Sequence, residues 1–133
     1  MNRDNVIRAR DLMIEVRDAG STRFDMSNYF TDIKDWYSWR HEDPSAVDIL
    51  PGRRSDDPHK CGTSACLAGW LQLRFAKGRA RSKMAFDYGV DFLGIDDEDA
   101  QSLFSEAEFY GKDELYEVTV DDVITKLNEM INA

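Results

Sequence analysis

The chain has 133 residues, 26 acidic and 17 basic side chains, and a formal net charge of −9. That length suits one domain with one core, and an apolar content of 42% with 11% aromatics excludes a disordered chain. Two cysteines exclude a disulfide-dense secreted scaffold, and the acidic balance argues against a protein that coats nucleic acid by bulk charge.

Residues 4–19 read as an amphipathic helix. Val6, Ala9, Leu12, Met13, Val16 and Ala19 recur at spacings of three and four, with Arg8, Arg10, Glu15 and Arg17 between them, and Gly20 closes it. Residues 28–40 repeat the pattern with Tyr29, Phe30, Ile33, Trp36 and Tyr37 behind a Ser27 cap. The segment Phe24-Asp25-Met26 reads as a short extended piece. Periodicity then stops over residues 41–60, which hold Pro44, Pro51, Pro58 and Gly52. A connection of about 20 residues is long for a compact domain and usually has a function.

A helix is predicted over 63–76, apolar nearly all round through Ala65, Cys66, Leu67, Ala68, Trp70, Leu71, Leu73 and Phe75, and therefore central. Another is predicted over 83–93, with Met84, Ala85, Tyr88, Phe92 and Leu93 on it and Gly94 as its cap. Asp96 or Asp97 caps a short helix bearing Ala100, Leu103 and Phe104, and Gly111 marks a turn. Thr119 opens a last helix with Val120, Val123, Ile124, Leu127, Met130 and Ile131 on one face. No alternating strand-type segment is sustained. The expectation is a single all-α domain of about six helices with one long proline-containing loop.

Both cysteines lie in His59-Lys60-Cys61-Gly62-Thr63-Ser64-Ala65-Cys66-Leu67-Ala68-Gly69-Trp70. Three readings compete. In the first, Cys61 is a nucleophile activated by a helix N-terminus, with His59 or His41 as base. Cys-Gly before small residues and a buried helix resembles the nucleophile helix of papain-like and bacteriocin-processing peptidases. Those enzymes take their histidine from a later sheet, whereas both histidines here precede Cys61. In the second, His41, His59, Cys61 and Cys66 bind zinc, although zinc modules more often pair ligands two to four residues apart. In the third, which is favoured, Cys66 is a small core residue and Cys61-Gly62-Thr63 starts the central helix. A Cys61–Cys66 disulfide would need an oxidising compartment.

Phe24-Asp25-Met26, Cys61-Gly62-Thr63-x-x-Cys66-x-x-Gly69-Trp70, Phe92-Leu93-Gly94-Ile95, Leu103-Phe104 and the Thr119 helix with Val123 and Ile124 together resemble a family of small uncharacterised bacteriophage and bacterial proteins. The resemblance spans most of residues 24–131. It implies a phage or prophage setting and no particular activity.

Three further clusters are candidate binding residues. Arg74, Lys77, Arg79 and Arg81, followed by Lys83, occur without an intervening acid and suggest an anion contact or a solvated helix end. Asp96, Asp97, Glu98 and Asp99 lack the ligand spacing of a calcium loop, and the dipole of the helix they open explains them. Trp39 lies off the main apolar face before the long loop, so it either anchors a partner or packs beneath that loop. No nucleotide-binding fingerprint, hydrolase elbow or zinc-protease motif occurs, so no cofactor is expected.

The charge is uneven. Residues 1–52 carry −3, residues 53–83 carry +6 and residues 84–133 carry −12. A basic middle thus precedes a strongly acidic C-terminal portion.

The N-terminal residues show no secretory signal, and no run approaches the roughly 18 apolar residues of a membrane span. The expected molecule is a soluble cytoplasmic interaction protein with a protein partner and no membrane contact. Nucleic acid as the partner is less favoured. A cysteine-dependent enzyme and an acidic mimic of nucleic acid are the alternatives.

Overall fold

The computed structural model describes residues 1–20, 24–26, 31–32, 63–64 and 66–133. Among these residues the chain forms an all-α domain. Helix α1 spans Arg3–Ala19. Two-residue strands follow, β1 at Thr31–Asp32 and β2 at Thr63–Ser64. Helix α2 is Leu67–Phe75, α3 is Ala85–Leu93, α4 is Asp97–Ser105 and α5 is Val120–Asn132. Short 3-10 helices occur at Gly78–Ser82, Ala107–Tyr110 and Leu115–Glu117.

The core follows the sequence periodicity. On α1, Val6, Ala9, Leu12, Met13 and Val16 are buried, and on α5, Val123, Ile124, Leu127 and Ile131. These two faces meet in the most extensive helix pairing of the molecule, followed by α2 against α3. Helix α2 is buried all along its first seven residues, Leu67 to Leu73, and the Trp70 side chain is fully enclosed. Its place at the centre follows from the lack of any polar face on this helix.

The caps also follow the sequence. Asp96 Oδ1 accepts from Asp99 N–H at 2.8 Å. Thr119 Oγ1 accepts from Asp122 N–H at 3.1 Å while Asp122 Oδ2 accepts from Thr119 N–H at 2.9 Å, a reciprocal capping box. Gly94 closes α3 in the left-handed conformation at φ 64°. Space also requires glycine there, because a β-carbon would come within 2.9 Å of Asn2 N. The start of α1 is docked at this corner: Asn2 N–H donates to Leu93 O at 2.8 Å and Asn5 Nδ2 donates to Phe92 O at 2.9 Å. Positive N-terminal and negative C-terminal helix ends thereby cap each other.

Three sequence expectations need correction. The central helix begins at Leu67, not Thr63, because Thr63 and Ser64 pair antiparallel with Asp32 and Thr31. Thr31 and Asp32 are accordingly extended rather than helical, since their backbone groups find partners across the ladder. The rest of the helix expected over 28–40 lies outside the described residues, as does the proline-containing segment 41–60. Met84 does not join the apolar face of α3. It precedes the helix with extended backbone and is 69% exposed.

Candidate functional site

The start of α2 places Cys66, rather than Cys61, at the helix N-cap. Cys66 has extended backbone, and its Sγ accepts from Gly69 N–H at 3.4 Å. Two influences oppose each other on this thiol. Backbone N–H groups of Gly69 and Ala68 favour the thiolate, as a helix N-terminus does. Burial disfavours it, and burial dominates: the thiol is 2% exposed and its pKa is pushed up from 9.0 to about 11. Cys66 is a free, protonated core thiol that also serves as a weak cap. The activated-thiol reading rests on Cys61, which lies outside the described residues with His41, His59 and Trp39. Among the described residues no three His, Cys, Asp or Glu side chains are grouped to hold a metal ion.

The basic segment after α2 is largely engaged with the protein itself. Arg74 forms a bidentate pair with Glu15, with Nη1 and Nη2 each 2.9 Å from a carboxylate oxygen. Arg81 Nε donates to Ala76 O at 3.1 Å, and Lys83 Nζ lies 2.6 Å from Asp91 Oδ2, which raises the lysine pKa. The turn is held from inside by Gln72, a buried polar side chain in the apolar run of α2. Its Nε2 donates to Ala80 O at 3.2 Å and to Lys83 O at 2.6 Å. Lys77 and Arg79 are exposed and make no ion pair among the described residues. Arg74 and Arg81 are thus engaged within the protein, whereas Lys77 and Arg79 face solvent.

The acidic portion is arranged differently. Asp97, Glu98 and Asp99 are exposed on the first turn of α4. Glu106, Glu108, Asp113, Glu114 and Glu117 are exposed along the connection from α4 to α5. None of these eight carboxylates has an ion-pair partner among the described residues. Only Lys112 and Lys126 are basic in residues 84–133. Lys112 sits 3.8 Å from Asp122 and Lys126 sits 3.6 Å from Glu129.

The same connection carries two exposed aromatics that the sequence reading did not single out. Tyr116 is 73% exposed, the most exposed large apolar side chain among the described residues, and Phe109 is 38% exposed. Lys126 Nζ lies over the Phe109 ring, 4.8 Å from its centroid, and Tyr110 meets Phe109 edge-on at 5.2 Å. Tyr110 is anchored inward instead, its hydroxyl donating to Leu103 O at 2.5 Å. The available signal in the sequence was local: Tyr116 stands in Asp113-Glu114-Leu115-Tyr116-Glu117, outside any helical period.

No helix among the described residues is long and apolar enough to cross a membrane. Comparison with known proteins adds no relative: no family model, no curated protein and no solved structure matches the chain.

Proposed function

We propose that this chain is a small interaction protein that binds a partner protein through its acidic C-terminal portion. The observation carrying this reading is the asymmetry of charge neutralisation. Of the five basic residues at 74–83, Arg74, Arg81 and Lys83 are engaged by the protein's own acceptors, which leaves only Lys77 and Arg79 without an ion pair among the described residues. By contrast, the exposed carboxylates of Asp97, Glu98, Asp99, Glu106 and Glu108 have no ion-pair partner among the described residues. An excess of one sign raises repulsion within the fold and attracts a surface of opposite sign. The phage or prophage setting implied by the Cys61-Gly62-Thr63 resemblance makes that partner a host or viral protein met in the cytoplasm.

Capture from a bacterial lysate tests this reading. The native chain is expected to retain a stoichiometric protein at low salt and to release it as salt screens the contact. A variant with Asp97, Glu98, Asp99, Glu106 and Glu108 changed to the corresponding amides is expected to retain much less. A native chain that captures no stoichiometric partner at low salt overturns the reading.

A further inference from the structure

Tyr116 is held outward by its own turn. In the 3-10 helix Leu115–Glu117, Val118 N–H donates to Leu115 O at 3.1 Å. Residues three apart lie on the same side of such a turn. Leu115 packs against the core and Val118 is 3% exposed, so both point inward. The intervening Tyr116 is left outside, with no ring or hydrogen-bond partner among the described residues. Burial therefore does not explain an aromatic side chain at this position.

Its surroundings select the partner chemistry. Glu117 Oε1 accepts from Glu114 N–H at 3.1 Å, which fixes a carboxylate next to the ring in sequence. Asp113 and Glu114 are exposed on the other side of Tyr116. A cation over a tyrosine face is attracted by the ring quadrupole, and the molecule already makes such a contact between Lys126 and Phe109. No basic side chain among the described residues stacks on Tyr116, and both lysines of the acidic portion have partners of their own, so the ring is open to a cation from a partner. Arginine fits better than lysine, because its planar guanidinium stacks on a ring and forks a carboxylate at once.

We infer that Tyr116, flanked by Glu114 and Glu117, anchors a docking surface for an arginine-rich segment of a partner protein. This deepens the proposed function and rests on it.

Titration of the isotopically labelled full chain with hexa-arginine and hexa-lysine peptides, followed by NMR, tests the inference. Hexa-arginine is expected to shift the amides of residues 113–118 and to bind more tightly than hexa-lysine. Tyr116→Leu keeps apolar bulk without a ring and is expected to weaken hexa-arginine binding by about three- to tenfold, whereas Tyr116→Phe retains it. Exposure of the side chain makes both variants tolerable, and unchanged amide shifts elsewhere verify the fold. Equal affinity for the two peptides, or undiminished hexa-arginine binding by Tyr116→Leu, overturns the anchor while leaving acidic docking intact. Absence of binding by both peptides also overturns the anchor, and capture from lysate decides the broader reading independently.

Discussion

The ring of Phe104 occupies the space that a β-carbon on Gly89 would need, with Cζ 2.6 Å and Cε2 2.7 Å from that position. Gly89 is buried in α3, and Phe104 is 3% exposed on α4 with its ring edge-on to Phe86 at 5.8 Å. A missing side chain on one helix thus admits an aromatic ring from the next. Gly89→Ala should destabilise the fold by about 1–2 kcal/mol, because overpacking outweighs the gain of roughly 1 kcal/mol in helix propensity. Adding Phe104→Leu should recover part of that loss. Denaturant unfolding of both single variants and the double variant measures the coupling, and additive effects would contradict the close packing.

Cys66 should react slowly with alkylating reagents near neutral pH, with labelling limited by opening of the fold. Its pKa is about 11 in the native chain against an ordinary 9.0. Between these values the unfolded thiol ionises while the native one keeps its proton, so the unfolded state binds fewer protons and stability falls as pH rises. The thiol's contribution is fully present below pH 9 and lost towards pH 11. Comparing the pH dependence of unfolding of the native chain with that of Cys66→Ala isolates it, since the variant should show a shallower alkaline decline.

Gln72 links the centre of the molecule to the basic turn at 76–83. Gln72→Leu should cost about 1–3 kcal/mol by leaving the Lys83 carbonyl without its internal donor and the Ala80 carbonyl with only Lys83 N–H. Amide exchange in residues 78–83 should accelerate more than exchange in α1 or α5. Uniform acceleration throughout the chain would show that Gln72 supports the core and not this turn.

The Arg74–Glu15 pair joins α2 to α1 at the half-buried edge of the core. A double-mutant cycle of Arg74→Ala and Glu15→Ala should give a coupling of about 1 kcal/mol, at the upper end for ion pairs of this exposure because the geometry is bidentate. The coupling should weaken modestly with added salt. A coupling near zero would show that the pair does not hold α2 against α1.

The all-α class, the core faces of α1 and α5, the central place of α2 and the caps at Gly94, Asp96 and Thr119 were legible in the sequence. Each depends on local geometry: a helical repeat aligns apolar residues on one face, and a terminal polar side chain satisfies N–H groups within its own turn. The start of α2 was not legible, because Thr63 and Ser64 take their backbone partners from Thr31 and Asp32, far away in the chain. Pairing at such separation leaves no local periodicity. Met84 was misplaced for a related reason: apolar character alone does not show where a helix begins.

The candidate site divides in the same way. The strong acidity of residues 84–133 is a property of composition and needs no structure. Which charges remain available is decided by tertiary packing alone, since Arg74 meets Glu15 only where α2 crosses α1, and Lys83 meets Asp91 only after the intervening turn folds back. Exposure of Tyr116 likewise depends on Leu115 and Val118 facing the core. Sequence supplies the charges and rings, but distances between residues remote in the chain determine which are neutralised, which are buried and which face a partner.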